Sequence, residues 1–220
     1  MNFQKVKAAI FDLDGTLLDT VADIGTGANT ALCRYGLPAY PIEEYKHLVG
    51  HGIRTLFRLA VPEGTPEEVY QKALADYLAY YPEHCTIHTR YFPGVKEFLQ
   101  ALTEAGIRVA VISNKTETTG QKIISHYFPE VPWAFVWGNN GSRPLKPAVD
   151  AGRLACETLG LEPEEILYVG DGDTDMEFAS QMGFIAAGVT WGYRSPEQLL
   201  AAGADFLSDS FPALQKTIGL

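Results

Sequence analysis

The sequence has little positive charge and no block of basic residues. Its 220 residues include 17 Lys and Arg but 27 Asp and Glu, so the formal net charge is −10 at pH 7. A protein that binds nucleic acid or anionic membranes needs a cationic surface, and we therefore expect neither partner. An anionic small-molecule substrate is not excluded, because a metal ion or a few local cations can reverse the field within one cleft.

Cysteine and long apolar runs are also scarce. The three cysteines, Cys33, Cys85 and Cys156, are widely separated and include no Cys-x-x-Cys pair, which favours free thiols over a disulfide framework or a zinc site. No apolar run approaches the length of a membrane-spanning helix, and none precedes Asp12. We therefore expect a cytoplasmic protein. The sequence leaves open whether it is a monomer or a homodimer.

Short apolar segments rich in Val, Ile and Ala are frequent instead. They read "VKAAIF", "IRVAVI", "WAFVW", "EILYVG" and "GFIAAGV". Because they are apolar throughout rather than alternating, they indicate strands that are covered on both faces. Helical patterns such as "GVKEFLQALTEAG" and "AVDAGRLACETLG" lie between them and end in glycine. This alternation predicts an α/β fold with a Rossmann-like parallel sheet.

The region between about residues 20 and 90 does not follow this alternation. It contains helical patterns such as "VADIGTGANTALCRYG" and "PEEVYQKALADYLAYYP" and no clear strand. We expect residues 1–17 and 91–220 to form an α/β core domain and residues 18–90 to form a helical cap domain inserted after the first strand.

Two aspartates at the end of the first strand are the first candidates for chemistry. In "IFDLDGTLLDT", Asp12 and Asp14 are two residues apart, so in extended backbone both side chains point the same way, at the strand end where α/β sheets bind ligands. Two like charges this close need a cation or a shared proton. The simpler alternative is a turn in which one aspartate caps and Gly15 supplies the conformation.

Three further loops carry complementary groups. "VISNK" offers Ser113 and Asn114, and "RPLKP" holds Lys146 between two prolines. "YVGDGDTD" carries Asp171, Asp173 and Asp175. The acidic loops are typical of an oxygen-ligand site for Mg²⁺, whereas Ser113 and Lys146 are typical of a phosphate cradle. A calcium-binding loop starting at Asp171 is excluded because its sixth and twelfth positions are Met176 and Met182.

With these motifs in this order, the sequence resembles the haloacid dehalogenase-like hydrolase superfamily, and within it the phosphoglycolate-phosphatase-like branch. "DLDGTLLDT", "VISNK", the lysine of "RPLKP" and "GDGDTD" look like its four motifs. The resemblance implies that Asp12 is the nucleophile that forms an aspartyl-phosphate and that Asp14 is the general acid and base. It also implies that Ser113 and Lys146 bind the transferring group, and that Mg²⁺ is held by Asp12, Asp171 and the backbone carbonyl of Asp14. Asp175 either supports the metal site or orients Lys146. Asp173 is an extra acid whose role as a metal ligand is open.

The resemblance also bears on the reaction and the substrate. Dehalogenases of this superfamily lack the second acid, so the presence of Asp14 favours phosphate-ester chemistry. Thr16, Asn114 and the "HLVGHGIRTL" segment are expected to bind substrate. In that segment Gly50 and Gly52 permit a turn that brings His51 to the site, and Arg54 could pair with a substrate carboxylate.

Several functions remain open at this stage. The leading hypothesis is a Mg²⁺-dependent phosphatase that hydrolyses a small phosphorylated metabolite, with 2-phosphoglycolate first. The alternatives are a phosphomutase of the β-phosphoglucomutase type, a pyrophosphatase or nucleotidase of the same superfamily, and a metabolite-binding regulator without catalysis.

Overall fold

The computed structural model describes residues 3–220 and contains eight strands. They are β1 (Ala8–Phe11), β2 (Leu18–Asp19), β3 (Arg90–Tyr91), β4 (Arg108–Thr116), β5 (Trp133–Asn139), β6 (Ile166–Gly170), β7 (Ile185–Val189) and β8 (Phe206–Ser208). Six of them form one sheet in the order β5-β4-β1-β6-β7-β8, and every neighbouring pair is parallel. The predicted Rossmann-like parallel sheet is confirmed.

Ten α-helices accompany the sheet within the described residues. They are α1 (Val21–Cys33), α2 (Tyr45–Leu48), α3 (Ile53–Ala60), α4 (Glu67–His84), α5 (Val95–Glu104), α6 (Glu117–Tyr127), α7 (Asp150–Leu159), α8 (Asp173–Met182), α9 (Pro196–Ala201) and α10 (Phe211–Ile218). As predicted, glycines follow α5 and α7: Gly106 and Gly160 have φ of +76° and +61°, a conformation that glycine adopts at little cost.

The central strands are apolar throughout because both of their faces are covered. All four residues of β1 and all five of β6 are buried. Along β1, Ala9 and Phe11 belong to one core cluster and Ala8 and Ile10 to the other, as expected when successive side chains point to opposite faces. The ends of β1 and β6 are therefore buried, and this burial fixes the positions of the residues that follow them.

The helices α1–α4 occupy residues 21–84, between two short strands. β2 and β3 pair in antiparallel fashion, Leu18 opposite Tyr91 and Asp19 opposite Arg90, so the chain leaves the sheet and returns at one place. We call α1–α4 the inserted helices. That they form a separate cap domain over residues 18–90, beside a core of residues 1–17 and 91–220, stays a prediction; residues 1 and 2 lie outside the described part.

Cys33, Cys85 and Cys156 are free, and only Cys85 is buried. Within residues 3–220, none of the helices combines the length and the apolar composition that crossing a membrane requires.

Candidate active site

The site begins at the carboxyl ends of three adjacent strands. Asp12 directly follows β1, Asp171 directly follows β6, and Ser113 lies near the end of β4. Because β1 is hydrogen-bonded to both β4 and β6, these three residues meet at the same sheet edge. All three are buried. The position is the one at which open α/β sheets bind ligands.

Three carboxylates form a tight acidic cluster at this edge. One oxygen each from Asp12, Asp171 and Asp175 lies within 4.8 Å of the other two. The backbone amide of Gly172 donates to Asp175 at 2.9 Å, and that of Tyr193 donates to Asp171 at 2.9 Å. Carboxylate oxygens are the ligands that Mg²⁺ and other hard cations prefer. This donor set fits a bound Mg²⁺.

Lys146 supplies an ammonium to the cluster. Its Nζ lies 2.8 Å from Asp12 Oδ1 and 2.6 Å from Asp175 Oδ1, and it also contacts the hydroxyl of Tyr168 at 2.8 Å and the carbonyl oxygen of Ile112 at 2.9 Å. The side chain is almost fully buried. Lys146 is therefore held against the predicted nucleophile by four oxygens.

Burial and the proximity of like charges shift the pKa values of the cluster. Burial raises the pKa of Asp12 to about 6; the Lys146 ammonium opposes this, whereas Asp175 and Asp14 add to it. Burial, together with Asp175 and Asp12, raises the pKa of Asp171 well above its ordinary value. Burial lowers the pKa of Lys146, but Asp12 and Asp175 outweigh it, so the net shift is upward. A cation added to the cluster would favour the ionised form of these carboxylates.

Glycines make room for the cluster. A Cβ at Gly15 would lie 2.2 Å from Asp171 Oδ2, and one at Gly192 would lie 2.2 Å from the Cβ of Asp171. Gly15 also has φ of +88°, so the turn after Asp14 requires glycine for two separate reasons. Gly15 therefore serves both the turn and the close packing of the backbone against the Asp171 carboxylate.

Asp14 has a different environment from the acidic cluster. Lys115 Nζ lies 2.9 and 3.1 Å from its two carboxylate oxygens, and the Thr20 hydroxyl donates to Oδ1 at 2.6 Å. The Lys115 side chain is 6% exposed and Asp14's is 10% exposed. Its carboxylate therefore takes no part in the cluster, and a metal contact from this residue would come from the backbone carbonyl. Sequence reasoning missed Lys115, although the residue is part of the "VISNK" motif.

Asn114 links two loops. Its Nδ2 donates to the carbonyl oxygens of Gly50 at 2.8 Å and Lys146 at 3.0 Å, and its Oδ1 accepts from the Lys146 backbone amide at 2.8 Å. Both amide hydrogens are thus already used. The predicted contact of Asn114 with substrate stays a prediction. In the structure, its side-chain amide holds the loop that carries Lys146.

The other predicted substrate residues lie at varying distances from the acids. The Thr16 hydroxyl donates to Asp171 Oδ1 at 2.7 Å and the residue is fully buried, so it orients an acid. Gly52 reaches the cavity described below. His51 Nε2 lies 3.4 Å from Asp173 Oδ2, and Arg54 is exposed to solvent. Their roles in substrate binding stay predictions.

Asp173 is separate from the acidic cluster. Besides His51, it faces Arg194, whose Nε lies 3.4 Å from Oδ1. Arg194 also donates to the carbonyl oxygens of Lys46 and Val49, both at 2.7 Å. This arginine, on the loop after β7, thereby joins the sheet side of the molecule to the inserted helices, and Asp173 is one of its partners.

A cavity of about 330 Å³ opens beside Asp12 and Asp14. The sheet side contributes Asp12, Asp14 and residues 113–116, 118 and 119, and the inserted helices contribute Ile24, Val49, Gly50, Gly52, Ile53, Leu56, Tyr77, Leu78, Tyr81 and Pro82. The size lies at the lower end of the range for small-molecule sites, roughly 300–1,000 Å³. A molecule bound here would contact Asp12 at one end and the inserted helices at the other.

Comparison with known proteins identifies the family. A sequence model of the haloacid dehalogenase-like hydrolases matches residues 9–189, which include all the strand-end residues described above except those that follow β7. The chain belongs to the haloacid dehalogenase-like hydrolase family. The hydrolase class predicted from the sequence is confirmed.

Individual relatives of the haloacid dehalogenase-like hydrolases cover nearly the whole chain. A phosphoglycolate phosphatase of Chromobacterium violaceum is 30% identical over 218 residues, 97% of each chain. An N-acetylmuramic acid 6-phosphate phosphatase of Pseudomonas aeruginosa is 30% identical over 211 residues, 95% of this chain and 93% of that one. The crystal structure of a predicted phosphoglycolate phosphatase from Haemophilus somnus superposes with a TM-score of 0.91 at 28% identity, covering 97% and 98% of the two chains.

Proposed function

We propose that this chain is a Mg²⁺-dependent phosphatase that hydrolyses a small phosphorylated metabolite through an aspartyl-phosphate on Asp12. The observation that carries the proposal is the position of the Lys146 ammonium, 2.8 Å from Asp12 within the acidic cluster and next to a substrate-sized cavity. Phosphoryl transfer is catalysed mainly by positioning and by neutralising charge on the phosphoryl oxygens. An ammonium and a cation site at one carboxylate provide both.

The first half-reaction uses Asp12 and Asp14. A carboxylate oxygen of Asp12 attacks phosphorus, the bond from phosphorus to the ester oxygen breaks, and Asp14 donates a proton to that oxygen so that the alcohol leaves neutral. Ser113 and Lys146 bind the phosphoryl oxygens. Mg²⁺, held by Asp12, Asp171, Asp175 and the backbone carbonyl of Asp14, would supply the charge that offsets repulsion between the nucleophile and the phosphate.

The second half-reaction returns the enzyme to its starting state. Asp14, now ionised, takes a proton from water, the water oxygen attacks phosphorus, and the bond from phosphorus to Asp12 breaks. Inorganic phosphate leaves, and Asp14 again carries the proton that it donates in the next cycle. The presence of Asp14 in the lining of the cavity supports its proposed part in both steps.

The first substrates to test follow from the relatives. Several are named phosphoglycolate phosphatase and one is named N-acetylmuramic acid 6-phosphate phosphatase, so 2-phosphoglycolate is the first candidate and sugar phosphates follow. We place the enzyme in the cytoplasm, as a monomer or homodimer, on the sequence evidence alone.

The test is phosphate release from a panel of phosphorylated metabolites, with and without Mg²⁺. We expect metal-dependent release from the wild type and none from Asp12→Asn, because an amide cannot act as the nucleophile. Asp209→Asn, which neutralises an exposed aspartate far along the sequence, is the matched control and should retain full activity. Intact-mass analysis of quenched wild-type enzyme should detect one added phosphoryl group. Full activity in Asp12→Asn would disprove the mechanism.

A further inference from the structure

The two walls of the cavity differ in chemistry. The sheet side carries carboxylates, hydroxyls, an amide and an ammonium. The side chains from the inserted helices are apolar or aromatic: Ile24, Val49, Ile53, Leu56, Tyr77, Leu78, Tyr81 and Pro82. The Tyr77 and Tyr81 rings are stacked with centroids 5.0 Å apart. The Tyr81 hydroxyl is buried without a hydrogen-bond partner, and the Lys115 ammonium lies 4.7 Å from the centroid of the Tyr81 ring.

No cation on this apolar wall is available to a substrate carboxylate. In the described chain, no Arg, Lys or His of the inserted helices lines the cavity. Arg54 is exposed outside it, and His51 faces Asp173. On the sheet side, Lys115 is bound by both oxygens of Asp14 and Lys146 by Asp12 and Asp175. A second anionic group would lose hydration beside Asp14 without gaining a partner of its own.

The volume also exceeds what a two-carbon alcohol fills. A cavity of about 330 Å³ falls in the range of sites that hold whole small organic molecules, roughly 300–1,000 Å³. With a phosphoryl group at Asp12, a glycolate-sized alcohol would leave most of the apolar wall uncovered. A ring-sized apolar group would cover it, and each additional buried methylene group favours binding by about fourfold.

We propose that the cavity selects phosphate monoesters whose alcohol part is uncharged and carries an apolar body of about the size of a six-membered ring. The phosphate esters of short carboxylated alcohols, 2-phosphoglycolate among them, are then poor substrates, so this inference places such a ring-sized ester ahead of 2-phosphoglycolate, which the names of the relatives put first. This inference rests on the proposed phosphatase function and names its substrate class.

Four esters separate the effect of size from the effect of charge. They are ethyl phosphate, 2-phosphoglycolate, benzyl phosphate and 4-carboxybenzyl phosphate, all esters of primary alcohols, assayed for kcat/KM with saturating Mg²⁺. We expect benzyl phosphate to exceed ethyl phosphate by about 100-fold, the gain of three to four buried methylene equivalents. Each carboxylated ester should fall at least about tenfold below its uncharged partner.

The outcomes distinguish the two proposals. A higher kcat/KM for 2-phosphoglycolate than for ethyl and benzyl phosphate would overturn the substrate class and leave the phosphatase function intact. Absence of phosphate release from all four esters and from the metabolite panel, with no phosphorylated Asp12, would overturn the function itself.

One pair of variants tests the apolar wall directly. Leu78 lines the cavity and is 39% exposed, whereas Leu59 is 57% exposed and does not line it, so both should accept a longer polar side chain without unfolding. Leu78→Arg places a cation on the wall, and we expect the kcat/KM ratio of 4-carboxybenzyl to benzyl phosphate to rise about tenfold. Leu59→Arg adds the same charge elsewhere and should leave the ratio unchanged. An equal change in both variants, or none in Leu78→Arg, would overturn the inference.

Discussion

The two ends of the cavity are built in opposite ways. At the sheet end, the lining residue Asp12 belongs to a buried cluster with Asp171, Asp175 and Lys146, in which each side chain is held by short polar contacts. At the end formed by the inserted helices, side chains contribute apolar surface and aromatic rings. A polar cluster of this kind is sensitive to the loss of any single partner, whereas an apolar wall tolerates changes in shape. The first end can therefore determine the reaction and the second the substrate.

The largest effect should come from removing the cation of the sheet end. Lys146→Met leaves Asp12 and Asp175 without their buried ammonium, and breaking a buried ion pair costs about 3–5 kcal/mol. We expect kcat to fall by about 10³-fold or more, because charge stabilisation at the phosphoryl oxygens is lost. Urea unfolding and steady-state kinetics measure the two effects.

Lys122→Met is the control for this substitution. Lys122 pairs with Glu83 at 3.0 Å, but both side chains are well exposed, and exposed pairs contribute little. Near-equal losses in the free energy of unfolding of the two variants would show that the contribution of Lys146 to stability does not depend on its burial.

Mg²⁺ should give the next largest effect, on stability. In metal-free protein the pKa of Asp12 is about 6 against an ordinary 3.8, so the folded state binds this proton more tightly than the unfolded chain. The corresponding stability is present at low pH and is lost as pH rises from 3.8 to about 6. A cation that binds the ionised cluster stabilises the fold by about 2.7 kcal/mol at 100 times its Kd.

The increase in Tm on adding Mg²⁺ should therefore be large at pH 7.5 and should shrink as pH falls below about 6, where protons compete for Asp12. Differential scanning fluorimetry over this range measures it. Asp171→Asn should reduce the increase at every pH. A shift that grows on acidification would contradict the assignment of the cluster as the metal site.

These two ends also differ in how far the sequence reveals them. Asp12, Ser113 and Asp171 follow apolar runs whose composition already indicates buried strands, so their convergence could be predicted. Tyr168 could not, because a tyrosine in "EILYVG" reads as an ordinary core residue, although its hydroxyl lies 2.8 Å from Lys146 Nζ. Arg194 follows no motif, and its contacts with the carbonyl oxygens of residues 46 and 49 depend on tertiary packing.

The exposure of Arg54 follows from the helical spacing of the apolar residues around it. Ile53, Leu56, Phe57 and Ala60 have the i, i+3, i+4, i+7 spacing of one helical face, and the last three are buried in α3. Arg54 lies outside that face and is exposed. The cavity itself was beyond prediction, because its shape depends on how four helices pack. The three-residue strand β8 was also missed, since so short a segment carries little pattern.

A smaller effect is expected at Lys115, which lines the sheet end of the cavity. Lys115→Met removes the cation that holds both oxygens of Asp14, and a misplaced general acid should reduce kcat by about 10- to 100-fold with benzyl phosphate. With 4-nitrophenyl phosphate, whose leaving group departs without a proton, the loss should be much smaller. Thr20→Val, which removes the other donor to Asp14, should act in the same direction. Equal losses with both esters would place the role of Lys115 in binding the phosphoryl group and not in positioning Asp14.

The smallest effect should come from the contact that joins the two ends. Arg194 donates to two carbonyl oxygens of the inserted helices while its Nε faces Asp173, and hydrogen bonds from a charged group contribute about 1.5–3 kcal/mol. Arg194→Met should therefore loosen the inserted helices over the cavity. Because the sheet end stays intact, we expect KM for benzyl phosphate to rise while kcat and the Mg²⁺-dependent increase in Tm change little. Hydrogen exchange should quicken at residues 46–50 relative to β1. If kcat fell and KM did not, the two ends would be less independent than their construction indicates, and the position of the inserted helices would be part of the chemistry as well as of selection.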